Sequence, residues 1–279
     1  MRKFLLKCCC LFIMKKADRT RFRLKYGLKC APRVDLEQFK LLNNLTFHND
    51  EGRSLIEIEG VFFNAPFCGG LKEVFGRRDY EFGGLRQVIF VDVGANIGDS
   101  ALFAAKRSEV EMVYAFECFP SAYDVLARNM ELNPGLKGKI VLSSEGWSDK
   151  NESVPATEWK QITDSALNTI EEDFSNRYPQ AERQEVNIVL GRASDLLGRI
   201  CTLHPRNPIV LKMDIEGAEY RCLMDLDKNQ LLQSVDIVFV EWHLRGYDSI
   251  VKILEKNQFV WFNEQFEKGI GLLRAYRKK

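Results

Sequence analysis

Val88-Ile89-Phe90-Val91-Asp92-Val93-Gly94-Ala95-Asn96-Ile97-Gly98-Asp99 decides the reading of this chain. An apolar strand meets a turn of small residues, and a helical pattern follows at Ala101, Leu102, Ala104 and Ala105. That is the strand–glycine turn–helix opening of a nucleotide-binding α/β unit. Glycine lacks a Cβ, so the backbone can turn sharply and a ligand can approach it closely. The spacing is G-x-x-x-G, with Asp92 inside the strand end. It is neither the G-x-G-x-x-G of dinucleotide sites nor the G-x-x-x-x-G-K-[ST] of a P-loop. The turn therefore suits a ligand without a pyrophosphate. S-adenosylmethionine meets that condition.

Two further stretches point the same way. Met112-Val113-Tyr114-Ala115-Phe116-Glu117 reads as a second strand ending on a carboxylate. An acid about 20 residues after the glycine turn is where a ribose diol is gripped. Its two oxygens can accept both hydroxyl protons. Ile209-Val210-Leu211-Lys212-Met213-Asp214-Ile215-Glu216-Gly217-Ala218-Glu219 then carries a lysine and two acids to the carboxyl end of another strand, and a helix follows. Ligands of open α/β sheets lie at the carboxyl ends of the strands. The three motifs therefore aim at one crevice.

Taken together, V-D-V-G-A-N-I-G, A-F-E, L-K-M-D-I-E-G-A-E and V-E-W-H resemble the FkbM-type methyltransferases, from about Arg86 to the C-terminus. The K-x-D-x-E-G-A-E element is the more family-specific part. The resemblance implies a class I, S-adenosylmethionine-dependent enzyme, typically an O-methyltransferase. It implies a hydroxyl acceptor on a sugar or other small molecule. One departure is Phe116-Glu117-Cys118, where the family usually has proline after the glutamate; here Pro120 comes later. That shifts the start of the next helix.

The rest of the chain fits one α/β domain with an N-terminal extension. Hydrophobic residues make up 46% and charged residues 28% of the 279, ordinary for a globular chain. A net charge of +1 gives no reason to expect nucleic acid as partner. The eight cysteines show no C-x-x-C and no zinc spacing. The expected fold is doubly wound and Rossmann-like, a mostly parallel sheet with a C-terminal antiparallel hairpin. Strands are expected at Lys139–Ser143, Ile209–Asp214 and Val235–Glu241, and the hairpin at Phe259–Phe262 and Leu272–Tyr276. The stretch Ser54–Phe63 alternates enough for strands, and Leu71–Tyr80 reads as a short helix. The division is a tail over 1–33, an α+β extension over 34–85 and the methyltransferase domain over 86–279. A polar insertion is expected at about 148–185.

In the tail, an apolar run from Phe4 to Met14 holds Cys8, Cys9 and Cys10, and a basic stretch from Lys15 to Lys29 follows. The run is shorter than the about 20 residues a spanning helix needs. A signal-peptide core is one reading, although no clear cleavage site follows. Palmitoylation of the cysteines beside a basic patch is another. A disordered tail is the third. The expected setting is cytoplasmic, with the tail as a route to membrane association.

The candidate cofactor residues are Asp92, Gly94, Asn96, Gly98 and Glu117, with Glu145 and Trp147 near the adenine. Asp92 would hold the turn and the methionine ammonium. Trp147 reads alternatively as a core residue with its indole N–H satisfied. The candidate catalytic residues are Asp214, His243, Glu241 and Lys212. Either His243 or Asp214 is expected to take the hydroxyl proton. A magnesium ion on Asp214, Glu216 and Glu241 is a second way to lower the hydroxyl pKa. Lys212 reads equally as an ion-pair partner, and Glu216 and Glu219 as complements to a helix N-terminus. Two other functions stay in view. One is a catalytically silent binding protein of the same fold, against which the intact Asp92, Gly94, Glu117 and Asp214 argue. The other is a nicotinamide-dependent oxidoreductase, for which the glycine spacing is wrong.

Overall fold

The computed structural model describes residues 45–50, 53–64, 69–159, 183–267 and 269–278. The tail, with Cys8 to Cys10, lies outside the described residues. The chain divides into two units, Met1–Glu81 and Phe82–Lys279, close to the boundary expected before Arg86. Among the described residues no helix is long and apolar enough to cross a membrane.

In the first unit, β1 (Thr46–Asp50), β2 (Arg53–Ile58) and β3 (Val61–Phe63) form an antiparallel sheet in that order. The expected hairpin is β2–β3. Its two-residue turn has positive φ at both Glu59 and Gly60, which matches the right-handed twist of the strands it joins. The helix expected at Leu71–Tyr80 lies a little earlier and is wound differently. One α-helical turn, α1 (Gly69–Leu71), runs into a π-helical stretch, Lys72–Arg77, which Arg78 ends in the left-handed conformation.

The second unit opens with β4 (Val88–Val93), α2 (Asp99–Ala105), β5 (Val110–Phe116), α3 (Pro120–Glu131), the short α4 (Pro134–Lys137) and β6 (Ile140–Ser143). After a small sheet come α5 (Ala193–Leu203), β10 (Ile209–Met213), α6 (Glu219–Lys228), β11 (Ile237–His243), α7 (Asp248–Lys256), β12 (Phe259–Glu267) and β13 (Ile270–Arg277). The seven-stranded sheet has the order β12-β13-β11-β10-β4-β5-β6. β13 is antiparallel to both its neighbours, and the other pairings are parallel. Every residue of β4 is buried, so both faces of the sheet centre are covered. Ile89, Val91, Val93, Leu211 and Met213 pack with Leu197, Leu223 and Leu254 from α5, α6 and α7. The chain winds one way from β4 to β5 and β6, and the other way to β10 and β11. The crevice at that reversal is the expected ligand site of such a sheet.

Two expectations need correction. The segment 148–185 is not simply an insertion without pattern. Its flanks are strands, β8 (Glu152–Trp159) and β9 (Arg183–Arg192), which pair antiparallel; β7 (Glu145–Ser148) pairs parallel with β9. Residues 160–182 lie outside the described set. The strand β8 was hidden because its buried side carries Ala156 and Glu158 rather than large apolar residues. Glu158, fully buried, is satisfied by the N–H of Ser121, by the Ser121 hydroxyl and by Gln184. The second correction is at the strand ends: β10 stops at Met213 and β11 runs on to His243. Glu241 and His243 thus sit two apart on one strand and point to the same side.

Candidate active site

Parallel pairing brings four carboxyl ends together. The register sets Lys212 of β10 beside Asp92 of β4, and Asp92 beside Ala115 of β5. The Lys212 ammonium lies 3.1 Å from Asp92 Oδ1, donates to the Gly94 carbonyl at 2.6 Å and sits 4.0 Å from Asp214 Oδ2. The second Asp92 oxygen accepts from the Ser100 hydroxyl at 2.6 Å. Asp92 is fully buried and Lys212 nearly so. Burial works against the lysine's charge, but the carboxylates of Asp92, Asp214 and Asp99 hold its pKa above the ordinary value. Lys212 is therefore a permanent cation that fixes the glycine turn, and it has no proton to exchange near neutrality. This favours the ion-pair reading of Lys212, while Asp92 Oδ1 has no hydrogen-bond partner among the described residues.

Both turn glycines have positive φ, and at Gly94 the protein backbone itself excludes a side chain. Gly94 has φ +80, and a Cβ there would lie 1.9 Å from the Asp214 carbonyl oxygen. At Gly98, with φ +88, a Cβ would meet Leu126 at 2.6 Å and Met130 at 2.8 Å on α3. Asn96, in the left-handed conformation, donates its backbone N–H to Glu117 Oε2 at 2.9 Å. Its side-chain oxygen is buried and has no partner among the described residues. Glu117 also accepts the Phe119 N–H at 2.9 Å, just before Pro120 opens α3. Burial pushes Glu117 up to about 7, against the pull of those two N–H donors. Each of its oxygens has one protein donor and retains a lone pair for a hydroxyl.

The adenine-side candidates separate. Trp147 is 2% exposed within the apolar core, its ring edge-on to Phe116 at 5.4 Å. Its indole N–H has no partner among the described residues. Glu145 is half-buried, and its N–H is bonded to the Ser143 hydroxyl.

On the other side of Asp214 lies a group of four acids around one imidazole. His243 is 2% exposed. Its Nδ1 is 2.9 Å from Glu219 Oε1, and its Nε2 lies 3.5 Å from Glu216, 3.8 Å from Glu241 and 4.0 Å from Asp214. Burial lowers the imidazole pKa, but the Glu219 hydrogen bond and the charges of Glu216, Glu219 and Asp214 raise it to about 10. A pKa raised this far favours the imidazolium near neutrality, which leaves Asp214 as the better placed of the two expected bases. A folded value above the usual 6.5 stabilises the fold fully below pH 6.5, and this contribution is lost as the pH climbs through about 10. Asp214 has a quarter of its side chain accessible, and burial raises its pKa above the carboxylate range.

Glu219, read from the sequence as a complement to a helix N-terminus, does that and more. It is fully buried at the first position of α6 and accepts the N–H groups of Ile215 and Gly217 as well as His243. It closes the left-handed Glu216–Gly217 turn and aims the imidazole at Asp214. The Tyr220 hydroxyl fixes the next loop through the carbonyls of His243 and Gly246. The E-G-A-E spacing was the available signal, since the second glutamate falls where a helix N-terminus favours an acid. The set whose ligand atoms all lie within 4.8 Å of one another is Asp214, Glu216 and His243. It includes the histidine and not Glu241, in contrast to the expected all-carboxylate trio.

Residues 92–262 match the family model of the methyltransferase FkbM domain. The chain belongs to that family. The FkbM domain here is similar to methyltransferase sdnD of Sordaria araneosa, 29% identical over 209 residues, 67% of this chain and 80% of the relative. It is 30% identical over 182 residues to methyltransferase 1 of Beauveria bassiana, covering 61% of this chain and 71% of the relative. Among solved structures, an FkbM methyltransferase of Methylobacillus flagellatus aligns at 16% identity and TM-score 0.48, over 74% of this chain. The chain spans about half (48%) the length of that structure. M. jannaschii TYW2 in complex with AdoMet aligns at 14% identity and TM-score 0.37, over 85% of this chain and 88% of that one. The matched span starts at Asp92, inside β4, and takes in every acid around His243.

Proposed function

We propose that this FkbM methyltransferase moves the methyl group of S-adenosylmethionine to a hydroxyl oxygen of a small molecule. The observation that carries the reading is the position of Asp214. A partly accessible carboxylate stands at the end of β10, between the fixed cation Lys212 and the imidazolium of His243, one strand from the glycine turn. The cofactor lies along the ends of β4 and β5, with its ribose on Glu117. The acceptor oxygen attacks the methyl carbon in line, the carbon–sulfur bond breaks, and S-adenosylhomocysteine leaves. Asp214 takes the hydroxyl proton as the new bond forms. The sulfonium is already an activated donor, so most of the acceleration comes from holding the two reactants in line. The net charge of +1 offers no surplus of basic groups for a nucleic-acid acceptor.

Thermal unfolding tests the cofactor. S-adenosylhomocysteine should raise the melting temperature and NAD should not, because only a ligand of the folded state stabilises it. The opposite pattern would overturn the proposal in favour of an oxidoreductase. Glu117→Ala should weaken S-adenosylhomocysteine binding by about 1.5–3 kcal/mol by calorimetry, the scale of hydrogen bonds to a charged group. An unchanged affinity would move the ribose elsewhere.

A second reading of the acceptor side rests on the proximity of Asp214, Glu216 and His243. Two carboxylates and an imidazole are a donor set for a divalent ion, which would lower the pKa of a bound hydroxyl. Imidazole suits zinc, iron or nickel better than magnesium. Methyl transfer from labelled cofactor to a panel of hydroxyl compounds, before and after chelation and after each metal is restored, separates this route from proton transfer to Asp214. Loss on chelation with rescue by one metal supports the ion; indifference to chelation supports the carboxylate.

A further inference from the structure

We propose that S-adenosylmethionine and a proton compete for the carboxylate of Glu117, so that the protein takes up its cofactor near neutrality and lets it go as the surroundings turn acid; this rests on the cofactor reading above. A carboxylate offers about four lone-pair sites on its two oxygens and donates nothing. The Asn96 N–H takes one site on Oε2 and the Phe119 N–H one on Oε1, each at 2.9 Å. Both donors are backbone groups, and the bonds of the Gly94 and Ala95 N–H groups to the Phe116 carbonyl hold their two loops together.

The two sites left over are those a ribose diol fills, one hydroxyl donating to each oxygen. A proton on either oxygen occupies one of them and turns an acceptor into a donor. The hydroxyl facing it must then turn round and accept. Both ribose bonds also lose the charge that makes such a hydrogen bond roughly twice as strong as a neutral one. Diol and proton therefore exclude each other by the count of lone pairs.

The surroundings of Glu117 set where this competition falls. The residue is buried at the end of β5, and burial outweighs the two N–H donors. Across the strand ends, Lys212 of β10 favours its charge and Asp92 of β4 opposes it. Lys212 is 3.1 Å from Asp92 and bonded to the Gly94 carbonyl, so it serves Glu117 only from a distance. Burial keeps the adjoining Cys118 thiol neutral, and Glu158 of β8 is engaged by Ser121 and Gln184. Asp99, at the head of α2, is a second buried acid, pushed up to about 6. The balance at Glu117 lies at about 7. Above that value the carboxylate is ionised and affinity is flat. Below it, binding must first expel the proton, and affinity falls toward about tenfold per pH unit. Saturating cofactor hides the effect, which therefore belongs to the cofactor KM and not to kcat.

Calorimetry with S-adenosylhomocysteine between about pH 6 and pH 8, in two buffers of different ionisation enthalpy, tests the competition. Wild type should bind about tenfold more weakly at the acid end and release close to one proton there, as one group titrating near 7 requires. Glu117→Gln, whose amide takes no proton in this range, should bind weakly and equally at both ends. Adenosine and 2′,3′-dideoxyadenosine, which differ only in the diol, give a reading on the unaltered protein. The first should lose affinity at the acid end and the second should not. Equal affinity of wild type for S-adenosylhomocysteine across the range would overturn the proposal. So would a pH dependence that persists in Glu117→Gln or with the dideoxynucleoside, since it would belong to Asp99 or another acid. Wild type that binds S-adenosylhomocysteine at neither end would instead defeat the cofactor reading itself.

Discussion

Lys212→Met should cost the protein about 3–5 kcal/mol, the scale of breaking a buried ion pair from one side. Methionine keeps most of the volume but leaves Asp92, which is fully buried, with the Ser100 hydroxyl as its remaining named donor. It also strips the Gly94 carbonyl of its donor, so the turn that must hold the cofactor loosens with the fold. Domains are stable by only about 5–15 kcal/mol, so the urea midpoint should fall far enough to be seen without ambiguity. The double variant Asp92→Asn/Lys212→Met removes both charges and should recover much of the loss. A single variant within 1 kcal/mol of wild type would show that water reaches the pair and that Lys212 does not anchor the turn.

Asp214→Asn should slow methyl transfer by about 10²-fold or more, the usual contribution of a general base, while S-adenosylhomocysteine binds nearly as before. A group used only in the transition state lowers kcat and kcat/KM together. His243→Gln should behave differently. With the imidazole pKa raised to about 10, the acid limb of the rate profile is expected to belong to a carboxylate. Because burial raises the Asp214 pKa, that limb should lie above the usual carboxylate range, and it should survive in His243→Gln. An acid limb near pH 6.5 that disappears in His243→Gln, with Asp214→Asn still active, would restore the histidine as base.

Much of this was legible before any coordinates. The strands β4, β5, β10 and β11 announce themselves as apolar runs ending on Asp92, Glu117, Asp214 and Glu241, because strands buried on both faces must be apolar throughout. The register that sets Lys212 against Asp92 was not legible. Nothing in the local sequence says which strand lies beside β4, and that neighbour turns a candidate catalytic lysine into an anchor. His243 misled for a related reason. A lone histidine at a strand end reads as a neutral imidazole until Glu219, which lies 24 positions away in sequence, is found on its Nδ1. β8 escaped because its buried side carries a glutamate whose partners sit on α3 and β9.

At Gly94 two halves of the site meet. The space where a side chain would begin is filled by the carbonyl of Asp214, 1.9 Å from an ideal Cβ, so the cofactor turn and the acceptor-side loop touch backbone to backbone. Neither can drift without the other. A change on either side of this contact should therefore be felt on the other, so that cofactor affinity and acceptor positioning move together.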